Sequence, residues 1–153
     1  MVANGTTTTI DALAGLVGQH LGTSDWFHID QARINAFADA TDDHQWIHVD
    51  PERAAATAFR GTIAHGYLTL SLLAPLLVDV LKVTDAGMYI NYGFNKVRFT
   101  APVPSGSDVR VVAHLQQVDE VPGGIQIVIA ASIERKGFDA PVCRAETVAR
   151  ILH

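Results

Sequence analysis

The sequence predicts an α+β fold in which a curved antiparallel sheet wraps one long apolar helix. Three observations carry this. Residues 66–81 are apolar nearly all round, with Leu68, Leu70, Leu72, Leu73, Leu76, Leu77, Val78 and Val80, and a helix without a polar face must be covered by other structure. After residue 88 the hydrophobic period changes from the helical value to two, the period of strands. The connections between those later segments are short and carry Pro102, Pro104 and Gly106, then Pro122, Gly123 and Gly124, which favours antiparallel neighbours.

Taken in order, residues 1–9 are small and polar and read as a flexible tail, leaving 10–153 as a single domain. Ile10, Leu13, Leu16, Val17 and Leu21 fall at helical spacing, so a helix is expected over 10–21 with Gly22 as its stop. A short strand is expected over 24–29. Asp30 then suits the N-cap of a helix to about residue 40, with Ile34, Phe37 and Ala38 on one face. Residues 41–50 read as a loop. Pro51 suits a first helical position behind the capping residue Asp50, opening a short helix to about residue 58. A second loop holds Gly61. The apolar helix over 66–81 is expected to kink at Pro75. Strands follow over 89–99, 109–118, 125–135 and 142–151. In the third, Ile125, Ile127, Ile129, Ala131 and Ile133 share one face.

Composition narrows the function. The chain has 153 residues, 48% hydrophobic and 18% charged, too apolar to stay disordered. A single cysteine, Cys143, excludes a disulfide-built scaffold and fits a reducing, cytoplasmic setting. Sixteen acids against eleven bases give a net charge of −5, which argues against a nucleic-acid partner while leaving room for a local basic patch around an anionic ligand. The most apolar stretch is shorter than a membrane span and carries Pro75 and Asp79, so no membrane partner is expected. Residues 1–9 lack a basic region followed by an apolar run, so no targeting segment is expected there.

Two stretches carry chemistry. The segment Asp42-Asp43-His44-Gln45-Trp46-Ile47-His48-Val49-Asp50 brings acids and imidazoles together between two helices. Imidazole exchanges protons near neutral pH, and a neighbouring carboxylate can orient it or act as a base. Acids before helices also serve as caps, so spacing alone leaves both readings open. His44 and His48 stand four apart, but Gln45 takes the place of the glutamate of an HExxH pattern and Pro51 biases Asp50 away from helix, so no metal site is expected. The second stretch is Gly61-Thr62-Ile63-Ala64-His65-Gly66, which runs into the apolar helix. A helix start offers unpaired N–H groups, and glycine lets a ligand approach them closely. One such N–H could hold an oxygen that gains negative charge. Equally, Gly66 could ease a turn beside a structural His65.

Together these stretches resemble the MaoC-like family of (R)-specific enoyl-CoA hydratases. The family pattern is Asp-x-Asn-Pro-Ile/Leu-His-x-Asp followed further on by His-Gly. Here it reads Asp43-His44-Gln45-Trp46-Ile47-His48-Val49-Asp50, then His65-Gly66. The Gln-Trp-Ile-His variant, and the later run Asn91-Tyr92-Gly93-Phe94-Asn95-Lys96-Val97-Arg98-Phe99, are similar to a branch with actinobacterial hydratases and nodulation protein N. The resemblance spans residues 10–151. It implies the hot-dog fold, a homodimer, and reversible addition of water to a trans-2-enoyl-CoA to give the (R)-3-hydroxyacyl-CoA. It implies Asp43 as base toward water, His48 holding that water, and the Gly66 N–H on the thioester oxygen. No metal or redox cofactor is implied, CoA being part of the substrate.

Gln45 and Trp46 depart from the usual Asn and Pro. Gln45 and His65 are expected against the substrate, and Lys96 and Arg98, with Arg53 or Arg60 as alternatives, against the CoA phosphates. Some members carry a helix serine that supports the catalytic aspartate. Ala74 falls there, with Thr69 and Ser71 the nearest hydroxyls. Two other readings compete: an acyl-CoA thioesterase on the same fold, whose acid generally lies on the central helix, and a non-catalytic acyl-thioester-binding subunit. The first charge on that helix is Asp79, late and beyond Pro75, which disfavours the thioesterase.

Overall fold

The computed structural model describes residues 4–153. Along the chain come β1 (Asn4–Thr8), a 3₁₀ turn (Leu13–Leu16), β2 (His20–Thr23), β3 (Phe27–Ile29) and α1 (Gln31–Thr41). Then follow α2 (Trp46–Val49), α3 (Pro51–Ala55), α4 (Gly66–Ser71) and α5 (Leu73–Val80). The remainder is β4 (Leu81–Val83), β5 (Met88–Phe99), β6 (Ser107–Val121), β7 (Gly124–Arg135) and β8 (Pro141–Leu152). These strands form one sheet in the order β4-β1-β2-β6-β7-β8-β5, with β3 also beside β6. Every pairing is antiparallel except β1 with β4, which a long crossover through the helices permits to run parallel.

The expected architecture is present: α4 and α5 lie against the inward face of the sheet. Leu68, Leu72, Leu73, Leu76 and Val80 meet Val109, Val111 and Leu115 of β6, Ile127, Ile129 and Ile133 of β7, and Cys143 and Ala145 of β8 in one core. The Cys143 thiol is fully buried there, and burial pushes its pKa up to about 11. The helix breaks at Leu72 rather than at Pro75 itself. Proline removes the N–H that the Ser71 carbonyl would accept, and its ring crowds that carbonyl. The break is small, since Leu72 N–H still donates to Leu68 at 3.3 Å and Leu76 N–H to Leu72 at 3.1 Å.

Four expectations need correction. The tail over 1–9 is a strand from Asn4 to Thr8, and residues 1–3 lie outside the described residues. β-branched threonines suit a strand, and Thr6 Oγ donates to the Leu21 carbonyl at 2.6 Å. The helix over 10–21 is instead a 3₁₀ turn followed by β2, because Gly15, Gly18 and Gly22 interrupt it and Gly18 takes φ of 84°. The helix opened by Asp50 and Pro51 stops at Ala55 instead of near residue 58. The apolar helix is covered on one side only: Tyr67 and Val78 are each 71% exposed, and Ser71 and Ala74 between them are exposed as well.

Strand β5 lies at the sheet edge and pairs with β8 alone. Its register slips between Asn91 and Gly93 and again between Phe94 and Lys96. Through those two bulges Tyr89, Asn91, Phe94, Val97 and Phe99 stay in register with inward residues of β8, while Lys96 and Arg98 are in register with Glu146 and Arg144 on the outer face.

Candidate active site

The segment that presents Asp43 and His48 is set by its two flanking caps. Asp30 accepts from Arg33 N–H at 2.8 Å and starts α1 as expected. Asp42 closes α1 in the left-handed conformation at φ 58°, which turns the chain and brings Asp43 out of the helix line. Gln45 N–H points at the Asp43 carboxylate, 3.4 Å away. α2 follows, and Asp50 caps α3 through Arg53 N–H at 3.0 Å. The expected loop therefore contains one helical turn, and His48 sits on its buried side with 7% exposure.

The His48 ring is fixed by a backbone carbonyl. Its Nδ1 lies 2.7 Å from the Ile63 oxygen, and since a carbonyl only accepts, Nδ1 donates and Nε2 is left to accept. Burial holds the His48 pKa below its ordinary 6.5, against the smaller upward pull of that hydrogen bond. The Ile63 carbonyl is itself pinned, because Ile63 N–H donates to Ile47 at 3.1 Å and Ala64 N–H to Val103 at 2.8 Å. Gln31 ties α1 to the site, donating to the His48 carbonyl at 2.7 Å and accepting from the Thr62 hydroxyl.

His65, expected against the substrate, lies underneath the pair instead. It is 2% exposed, donates from Nε2 to the Asp43 main-chain carbonyl at 2.9 Å, and stacks on His48 with ring centroids 3.8 Å apart. Its Nδ1 is buried and meets no hydrogen-bond partner among the described residues. Thr69 and Ser71 turn their hydroxyls to carbonyls of their own helix, at His65 and Leu68. The loop of Asp43 is thus held by an imidazole, where a helix serine was one candidate.

Asp43, His48 and His65 place donor atoms within 4.8 Å of one another. The two rings are stacked at 26°, and His48 Nδ1 and His65 Nε2 are each already committed to a main-chain carbonyl. That arrangement suits proton handling better than a shared ion. His44 does not join them; it pairs with Asp39 at 2.8 Å, and that hydrogen bond raises its pKa.

In front of His48 lies a cavity of about 400 Å³ lined also by Gly66, Thr69, Phe99, Ala101 and Val103. Gly66 opens α4, and a Cβ there would come within 3.1 Å of the Phe99 ring. The expected oxyanion donor and His48 therefore share one largely apolar cleft. Asp43 stands at its side with half its side chain in solvent. Gln45 is exposed at the start of α2, and Arg53 stacks over Trp46 at 4.2 Å. Lys96 and Arg98 do not reach this cleft; they line a separate concavity on the outer face. Asp79 is exposed near the end of α5 and is not part of the cleft.

Sequence reasoning missed the Ile63 carbonyl and Gln31. A main-chain acceptor is present at every residue and leaves no sequence signal. Gln31 stands just inside a helix, where a glutamine is unremarked.

Comparison with known proteins gives the family and the fold. A family profile described as "MaoC like domain" matches residues 12–136. The chain is 50% identical over 139 residues to 3-hydroxyacyl-thioester dehydratase Z of Mycobacterium tuberculosis, covering 90% of this chain and 92% of that protein. It is 56% identical over 103 residues to nodulation protein N of Rhizobium meliloti, covering 66% and 64%. Among solved structures, an (R)-hydratase from A. caviae involved in PHA biosynthesis overlays with a TM-score of 0.71 at 28% identity, covering 87% of this chain and 94% of that one.

Proposed function

Since the chain belongs to the MaoC-like dehydratase family, we propose that it is an (R)-specific enoyl-CoA hydratase, adding water reversibly to trans-2-enoyl-CoA. It is a hydro-lyase, and the observation that supports this substrate is the pairing of His48 and Gly66 in one apolar cleft beside Asp43. Water is held between the Asp43 carboxylate and His48 Nε2. Asp43 takes a proton as the water oxygen bonds to the β-carbon, and the electron pair of the double bond moves toward the thioester. The Gly66 N–H receives the charge that gathers on the thioester oxygen, and the proton taken from water, passed on by Asp43 with His48, goes to the α-carbon, which completes the addition and returns the carboxylate to its starting state. Oxyanion donors of this kind contribute roughly 10²–10³ in rate in other enzymes. In this reading Gln45, exposed next to Asp43 in the chain, contacts the substrate, and Lys96 and Arg98 take its anionic end.

The reading includes a homodimer. Tyr67, Ser71, Ala74 and Val78 form an exposed stripe at spacings of four, three and four along α4 and α5. The exposed rings of Tyr89, Phe94 and Phe99 on edge strand β5 add apolar surface of a kind monomers rarely leave open. A second copy would cover both and would shield Asp43. The buried, unpaired Cys143 fits the cytoplasmic part of the reading.

The test is to mix the protein with crotonyl-CoA and follow loss of enoyl-thioester absorbance and release of thiol together. Absorbance loss without thiol is expected, and Asp43→Asn should keep the far-UV spectrum while losing about 10²–10⁴ of the rate. Thiol release would assign a thioesterase. A folded Asp43→Asn protein of near-normal activity would overturn the mechanism.

A further inference from the structure

The two stretches that carry the site exchange imidazole hydrogen bonds. His48, from the stretch of Asp43, donates from Nδ1 to the Ile63 carbonyl at 2.7 Å. His65, from the stretch of Gly66, donates from Nε2 back to the Asp43 main-chain carbonyl at 2.9 Å. A carbonyl only accepts, so the stacked rings are held as opposite tautomers, Nδ1–H in His48 and Nε2–H in His65. With the Ile63 N–H on the Ile47 carbonyl, these bonds brace α2 against the segment that enters α4. The His65 Nε2 stands 4.0 Å from the Asp43 carboxylate, beyond hydrogen-bond length. The ring thus grips the main chain of Asp43 and leaves its carboxylate to the reaction. His65 packs against Phe37 of α1 as well as His48, and it is the N-cap residue directly before Gly66.

His65 therefore joins the base to the oxyanion donor by a short path. Its ring holds the main chain of one, and its own backbone leads into the N–H of the other. It is 2% exposed and is not among the residues lining the cleft, so it offers a substrate no surface. The spacing it controls matters to the chemistry. Water attacks the β-carbon while charge gathers on the thioester oxygen, and those two atoms are three bonds apart in the substrate. The base and the N–H must match that fixed separation, and a misplacement of about 1 Å can cost about 10² in rate. We propose that His65 is a positioning residue for the hydration, its Nε2–H setting where Asp43 stands relative to the Gly66 N–H, an assignment that rests on the hydratase reading.

The experiment compares three variants on crotonyl-CoA, each checked for its fold by far-UV spectrum. In His65→Gln the amide nitrogen reaches the place of Nε2 and keeps the donor. In His65→Asn the amide falls near the place of Nδ1, short of the Asp43 carbonyl, and His65→Phe keeps a stacked ring with no donor at all. The Asn and Phe variants should lose about 10² in kcat with KM within about threefold of wild type, and Gln should recover at least about tenfold of that loss. Equal kcat in Gln and in the donorless variants overturns the proposal. So does a loss carried by KM, which would return His65 to substrate binding. Nitrogen-15 NMR of the wild-type rings reads the contact without turnover and without any variant having to fold: His65 should carry its proton on Nε2 and His48 on Nδ1. A His65 protonated on Nδ1 alone overturns the proposal whatever the activity. If the wild type hydrates no enoyl-CoA while His65 shows the Nε2–H tautomer, the hydratase reading fails and the hold of His65 on the Asp43 main chain stands.

Discussion

At the scale of single residues, the site is built from groups that hold one another. His65 supports the main chain of Asp43 and the ring of His48 at once, and it immediately precedes the Gly66 N–H. His48 is the residue whose titration is most informative. Burial lowers its folded pKa below 6.5, so the fold favours the neutral ring. The stability this contributes is fully present above the unfolded value and is lost as pH falls below it, when the unfolded chain takes up the proton first. The His48 ring should therefore titrate with a midpoint under 6.5 when followed by NMR, and kcat/KM should stay flat as pH drops to that value. A midpoint at or above 6.5 would contradict the burial of the ring.

At the scale of elements, the N-terminal strand is tied to the end of the central helix by a close approach. A Cβ on Gly5 would come within 2.2 Å of the Asp79 carbonyl oxygen, which is backbone and cannot swing aside. Gly5→Ala should destabilise by about 1–3 kcal/mol. The melting temperature would then fall by roughly 2–4 °C per kcal/mol for a chain of this size. An unchanged melting curve would mean that β1 does not dock as described. That strand was not legible in the sequence, because a run of threonines has no apolar face to announce it. The caps Asp30 and Asp50 and the strands β5 to β8 were legible, since each rests on local chemistry or a clear period of two. Within β5 the legibility stops at the bulges. Inward residues recur there at spacings of two, three, three and two, so alternation alone could not assign Lys96 and Arg98 to the outer face. Asp43, His48 and the main-chain N–H of Gly66 were singled out through the family resemblance, where spacing alone left two readings open, and the structure brings Asp43 beside His48 and His48 into one cleft with Gly66. The site was not legible where a main-chain carbonyl carries it, at Ile63, nor in the stacking that places His65 behind the pair.

At the scale of the whole molecule, the half-covered helix is the feature that points beyond one chain. Val78 is 71% exposed at the C-terminal end of the open stripe, in line with Tyr67, Ser71 and Ala74. Val78→Glu should weaken the proposed self-association at least about a hundredfold, because a dimer would have to bury a carboxylate without a partner. Sedimentation velocity reads this directly; a variant that still sediments as a dimer would place the interface elsewhere. Residues 66–81 are too apolar for a solvated helix, but the single sequence could not say whether the cover comes from the same chain. In the structure the sheet covers one side, and the stripe from Tyr67 to Val78 is left open. Cys143 gives the folded protein one more property. Its sulfur is enclosed by the sheet and its proton is held to a pKa of about 11, so a disulfide reagent at neutral pH meets neither an accessible nor an ionised thiol. The enzyme is therefore silent in its own thiol assay. Colour that forms in the presence of an acyl-CoA comes from cleaved thioester, and colour that forms without substrate counts the molecules whose sheet has come apart.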